Sequence, residues 1–105
     1  MFTGNESHDI SLQDAANLTA NYRNQFVPGA TFIKGEFFGK SAIQSLLNQD
    51  DCVGLRIYYG LDNDKVQKLV IVGVLANEDD MTNGSILEFG SPCPPYCGTV
   101  NALNS

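Results

Sequence analysis

The sequence predicts an α+β fold: a small antiparallel sheet of about four strands with two helices packed on one face. Three observations carry this prediction. Apolar residues recur at helical spacing near the start of the chain, they alternate at strand spacing in the middle, and only short polar segments separate the last apolar runs. The predicted order of elements is α-β-α-β-β-β, and 105 residues suffice for one domain with a hydrophobic core.

The first helix is predicted over residues 12–25. Ser11 and Asp14 have the spacing of a capping box, and Asp14 also suits the positive end of the helix dipole. Small and apolar residues then follow at steps of three and four, which places them on one helix face: Leu12, Ala15, Ala16, Thr19, Tyr22 and Phe26. The pair Pro28 and Gly29 ends the helix, because proline disfavours a helical residue before it.

A strand and a short helix are predicted next. Residues 31–38 are rich in β-branched and aromatic side chains, which is typical of a strand. Ser41 is the predicted N-cap of the second helix. The buried stripe of that helix is Ile43, Leu46 and Leu47.

Three further strands are predicted over residues 53–60, 68–75 and 85–89, joined as an antiparallel meander. The second of them is apolar on both faces, which predicts a central strand covered twice. Gly73 within it predicts a bulge or a close backbone approach. Two helices cover one face only, so the other face needs the chain end or a second subunit, and this favours a homodimer.

The chain divides by composition into three parts. Residues 1–10 are polar and predicted to be flexible, residues 11–90 form the α+β domain, and residues 91–105 are a Pro- and Cys-containing tail. The start lacks the basic and apolar regions of a signal peptide, and no apolar run has membrane-spanning length, so we expect a cytoplasmic protein. A net charge of −6 with six scattered basic residues opposes binding to nucleic acid or to an anionic membrane.

The tail carries the most unusual motif, Cys93 and Cys97 among three prolines. Thioredoxin-type chemistry needs C-x-x-C at the start of a helix, and this spacing is C-x₃-C. Two interpretations remain open besides ordinary packing: a disulfide between the two cysteines, although cytosolic thiols stay reduced, or a zinc site that also uses Cys52. Zinc is the one cofactor that the sequence brings into consideration.

No catalytic constellation is visible, so an enzyme is not the expected class. His8 is the only histidine, and the nucleophile-elbow, Walker and dinucleotide glycine patterns are absent from the sequence. The acidic loops at 62–64 and 78–80 lack the alternating ligands of a calcium loop. Aromatic side chains suggest instead a protein-docking surface, with ordinary core packing as the alternative. Its candidate residues are Phe38, Arg56, Tyr58 and Tyr96.

Three segments together resemble a family of small uncharacterised bacterial proteins: VGLRIYYGLD, LVIVGVLANEDD and the element CPPYC. The resemblance runs in order from about residue 11 to residue 98, and the Cys-Pro element is its most specific part. It implies a single small domain and brings no activity, cofactor or partner.

The sequence therefore predicts a non-enzymatic protein-interaction module that associates with itself as a homodimer. The alternative is a small thiol or zinc-binding protein that uses the C-terminal C-x₃-C motif.

Overall fold

A computed structural model describes residues 1–29 and 31–105 of the chain. It contains two helices and five strands, in the order α1 (Leu12–Arg23), β1 (Gly35–Phe37), α2 (Lys40–Leu47), β2 (Cys52–Leu61), β3 (Gln67–Leu75), β4 (Ile86–Leu87) and β5 (Ser91–Cys93). The protein is thus α+β, as predicted. Within the described ranges, no helix has both the length and the apolar composition needed to cross a bilayer.

The chain forms two compact units. The first comprises Met1–Ser7 and Phe38–Gly90, and the second comprises His8–Phe37 and Ser91–Ser105. Each unit has its own antiparallel sheet, of three and of two strands respectively. The strands therefore do not form the single sheet that the sequence predicts.

The sheet of the first unit has the order β2-β3-β4, with both pairs antiparallel. This confirms the predicted meander. Strands β2 and β3 pair from Leu61 opposite Gln67 to Gly54 opposite Val74, and one irregularity lies between Cys52 and Gly54. Helix α2 packs against β2 and β3.

Strand β3 supplies most of the buried core. Ile71 and Val72 are 3% and 4% exposed, and Val74 and Leu46 are buried as well. Because neighbouring strand residues point to opposite faces, the chain itself covers both faces of β3. The doubly covered central strand is thus confirmed. The sequence leaves open whether the chain end or a second subunit covers the second face; the structure shows that the chain itself covers it, so this face gives no argument for a dimer.

Gly73 lies where the backbone of β3 is approached closely by other groups. A Cβ atom at this position would lie 2.8 Å from Gln49 Nε2 and 3.1 Å from Cys52 Sγ. At such distances a side chain would force the ends of the neighbouring side chains to shift, so Gly73 lies at a closely packed point of β3. Of the two alternatives predicted for Gly73, close approach is the one observed, since the bulge lies in β2.

The start of the chain takes part in the first unit. The backbone N–H of Phe2 donates to the carbonyl oxygen of Ala76 (2.9 Å). The terminal ammonium group lies 3.4 Å from the carboxylate of Glu78. The first residues, predicted to be flexible, therefore have defined contacts with the loop that follows β3.

The second unit is built on α1 and on the pairing of β1 with β5. The hydroxyl of Ser11 accepts a hydrogen bond from the Asp14 N–H (3.0 Å), which confirms the predicted N-cap. The ring of Phe26 stacks on that of Phe32, with centroids 4.0 Å apart. Strand β1 is shorter than the predicted 31–38, because its partner β5 has three residues and includes Pro92, which lacks an N–H.

The C-terminal segment is held to the rest of the second unit by hydrogen bonds. Lys34 donates from its backbone N–H to Cys93 O (2.6 Å) and from Nζ to Asn104 O (2.7 Å). Arg23 donates to Leu103 O (2.8 Å). Residues 91–105 therefore form part of a folded unit.

Several predicted element ends differ from the structure, including the end of α1, which lies at Arg23 and not at residue 25. Helix α2 begins at Lys40 with Gly39 as its N-cap, so the assignment of Ser41 as N-cap is wrong; Gly39 has the extended conformation of a cap without a side-chain bond. Strand β4 ends at Leu87, short of the predicted 89. Phe89 has a φ of 65°, and this left-handed conformation takes the chain out of the strand.

We expect Val72→Ala to lower the free energy of unfolding by about 1–3 kcal/mol, because it removes methyl groups from a buried site and leaves a cavity. Val100→Ala, at an exposed position, is the matched control and should change it by less than about 0.5 kcal/mol. Urea unfolding of both variants measures the difference. Equal effects would contradict the assignment of β3 as the core strand.

Candidate interaction surface

Strand β2 lies at the edge of its sheet, and one side of its backbone faces away from β3. Asp62 and Val66 face each other across the hairpin in a hydrogen-bonded position: Asp62 N donates to Val66 O (3.0 Å), and Val66 N donates to the side chain of Asp62 at Oδ1 (2.9 Å). In an antiparallel ladder such pairs recur at every second residue, so the even-numbered residues of 54–60 bond to β3. The odd-numbered residues direct their N–H and C=O groups outward. We call these residues the outer edge of β2: Leu55, Ile57, Tyr59 and Leu61.

The outer edge has no backbone partner in the described part of the chain. Strand β3 is the only hydrogen-bonded neighbour of β2 there, and no backbone hydrogen bond from another segment reaches these four residues. The N-terminal segment lies beside the opposite end of the strand, where a Cβ at Gly4 would lie 2.8 Å from Val53 O. The open part of the edge therefore extends from Leu55 to the hairpin.

The side chains of the outer edge share one face of the sheet, because they alternate with the even-numbered residues. Towards the hairpin they are exposed: 47% for Ile57, 84% for Tyr59 and 70% for Leu61. Exposed apolar side chains are common singly, but three in line beside an open backbone edge are typical of a contact surface.

On the opposite face of β2, Arg56 and Tyr58 meet at Asp80. The Arg56 guanidinium and the Tyr58 hydroxyl each donate to one carboxylate oxygen of Asp80. Arg56 also donates to Glu78 O (3.2 Å), and the Phe2 ring centroid lies 6.0 Å from its guanidinium carbon. The only charged side chain of β2 is therefore paired within the chain.

The pairing shifts the pKa values of Asp80 and Tyr58 in opposite directions. The hydrogen bond from Tyr58 lowers the pKa of Asp80, and Arg56 adds to the effect against the opposing influence of desolvation. The same hydrogen bond is the largest cause of the raised pKa of Tyr58, because donation to a carboxylate favours the protonated hydroxyl.

The structure brings together two of the four residues predicted for a docking surface, Arg56 and Tyr58. Phe38 follows β1 and belongs to none of the strands of the three-stranded sheet, so it does not share a strand face with them. Tyr96 is exposed and lies in the second unit. Asp80, which joins Arg56 to Tyr58, was not predicted, and neither was the open outer edge of β2.

Cys93 and Cys97 are joined by a disulfide bond, with Cα atoms 4.6 Å apart. Cys52 is a free thiol whose Sγ donates to Gly54 O (3.1 Å). Residues 1–29 and 31–105 contain no group of three or more His, Cys, Asp or Glu side chains arranged to hold a metal ion. Of the predicted zinc ligands, Cys93 and Cys97 lie together in the second unit and Cys52 lies in the first.

No family model, curated protein or solved structure is significantly similar to this chain. The function is therefore argued from the geometry of the chain itself.

We expect Asp80→Asn to remove a contribution to stability that depends on pH. The folded-state pKa of Asp80 lies below its ordinary value of 3.8, so the contribution is present above that value and is lost as pH falls through the folded pKa. Tyr58, with a raised pKa, contributes below its ordinary value of 10.0 and loses its contribution as pH rises through the folded value. The difference in unfolding free energy between wild type and Asp80→Asn should be largest between these limits.

Urea unfolding as a function of pH measures that difference. Asp64→Asn, in the exposed hairpin turn, removes a carboxylate outside this cluster and is the matched control. A difference between wild type and Asp80→Asn that stays constant from neutral to acid pH would contradict the role given to Asp80.

We expect Cys93→Ser to destabilise the oxidised protein by about 2 kcal/mol, because the disulfide restricts the unfolded chain over a short loop. Thermal melts with and without reductant measure this effect. Reductant should bring the wild type to the stability of Cys93→Ser and leave that variant unchanged. A wild type insensitive to reductant would contradict the expectation.

Proposed function

We propose that this chain is a non-enzymatic protein-interaction module that associates with a second copy of itself. One observation carries the proposal: the exposed row Ile57, Tyr59 and Leu61 lies beside an unpaired strand edge. Sheet proteins usually protect such an edge with lysines, prolines, bulges or a covering segment, since an open edge pairs with other chains. From Leu55 to Leu61 this strand has no lysine, proline or bulge, and its one charged side chain, Arg56, is paired with Asp80.

Burial of the exposed row supplies the free energy for association. A leucine side chain transferred fully from water contributes roughly 1.5–3 kcal/mol, and every 1.4 kcal/mol corresponds to about tenfold in the dissociation constant. A contact centred on one strand is small, which is typical of moderate affinity.

The proposal keeps the cytoplasmic location expected from the sequence. In a reducing compartment Cys93 and Cys97 would be thiols. The outer edge of β2 lies in the first unit and the two cysteines in the second, so the proposed contact does not require the disulfide.

A second candidate function, thiol chemistry or zinc binding at the C-x₃-C motif, is supported by the closeness of Cys93 and Cys97. Zinc would need both as thiolates together with further ligands, for which Cys52 is proposed. Elemental analysis of natively purified, reduced protein tests it. Stoichiometric zinc would favour this candidate, and its absence would remove the metal role.

We expect wild-type protein to show reversible, concentration-dependent dimer formation by sedimentation equilibrium between ~5 and ~500 µM. Leu61→Ser should weaken the dimer by about tenfold or more, because it removes an apolar side chain from the contact. Leu18→Ser, on the exposed face of α1 with 63% exposure, is the matched control and should leave it unchanged. A wild type that stays monomeric over this range would contradict the proposed function.

A further inference from the structure

Resting on that proposed function, we infer that two copies associate by antiparallel pairing of their β2 strands about a two-fold axis at Tyr58. This pairing would join two three-stranded sheets into one continuous sheet. The contact would be made by the outward backbone N–H and C=O groups of β2 in one register, and self-association alone specifies neither.

The direction of the backbone groups limits the registers available. Two outer edges can bond only if their outward residues lie opposite each other, and these are the odd-numbered ones from Leu55 to Leu61. With the axis at Tyr58, Leu55 lies opposite the partner's Leu61, and Ile57 lies opposite the partner's Tyr59. All four outward residues are then paired. A register centred on Ile57 leaves Leu61 without a partner in the open edge, and a register centred on Tyr59 leaves Leu55 without one.

The side chains agree with this register. Ile57 would lie beside the partner's Tyr59, and Leu55 beside the partner's Leu61, so the apolar rows of the two copies would contact each other along the shared edge. Pairs of a β-branched with an aromatic residue are favourable across antiparallel strands. The sheet face that carries these side chains in one copy would continue into the same face of the other copy.

Charge does not oppose the register. Arg56 would lie opposite the partner's Gly60, so the two guanidinium groups are not placed against each other. Each Arg56 is moreover paired with Asp80 of its own chain. No like charges therefore face each other across the paired strands.

The comparison of Tyr59→Pro with Tyr59→Ala tests the backbone contact. Both changes remove the ring, but only proline also removes the N–H that points outward. Because that N–H does not bond to β3, the three-stranded sheet keeps its own hydrogen bonds. We expect a dissociation constant at least about tenfold higher for Tyr59→Pro than for Tyr59→Ala.

Cysteine cross-linking tests the axis and does not depend on the proline variant folding. At Tyr58 the two chains would meet as a non-hydrogen-bonded pair, with Cα atoms roughly 4.5 Å apart, within reach of a disulfide. In a Cys52→Ala background, Tyr58→Cys should form a covalent dimer under mild oxidation. Ile86→Cys, exposed on β4, is the matched control and should not.

The outcomes separate the two proposals. A monomeric wild type overturns the proposed function and this inference together. A wild-type dimer that Tyr59→Pro weakens no more than Tyr59→Ala, or in which Tyr58→Cys does not cross-link, overturns the strand pairing alone. A proline effect together with cross-linking at Tyr58 supports the inference.

Discussion

The burial of β3 between β2 and β4 is the constraint on which the first unit depends. Its buried side chains point to both faces, so the rest of the chain must cover the sheet on both sides of this strand. With β3 in the centre of a three-stranded sheet, β2 must take an outer position. The long strand thereby becomes an edge strand, and its outward backbone groups are left without a partner in the described part of the chain.

Patterns that act locally could be predicted from the sequence. Ser11 and Asp14 identify the start of α1 because a cap bond joins residues three apart. The apolar run of β3 identifies a strand covered on both faces, because adjacent residues point to opposite faces and here both sets are apolar. The short strand β5 could not be predicted, since Ser91–Cys93 has two extended residues around a proline and becomes a strand only by pairing with β1. Sheet membership is a long-range property.

The candidate surface was predictable to the same extent. Alternation places Arg56 and Tyr58 on one face of β2, and the structure has them there. Their link through Asp80 depends on the course of the loop after β3, where Glu78 has a φ of 78° and Leu75 N bonds to Asp79 O. Nothing in the sequence pattern marks that course. The open edge itself depends on the order of strands in the sheet, which alternation within one strand does not encode.

The shortness of β4 has a consequence for how large an assembly built on this sheet can grow. The proposed two-fold contact would use the β2 edge of both copies, so a third copy could extend this sheet only at the β4 edge. There β4 offers only Ile86 and Leu87 before the left-handed residue Phe89 turns the chain away. In the proposed dimer, so brief a ladder would offer a further subunit little backbone to pair with, and growth beyond the pair through this sheet would be disfavoured.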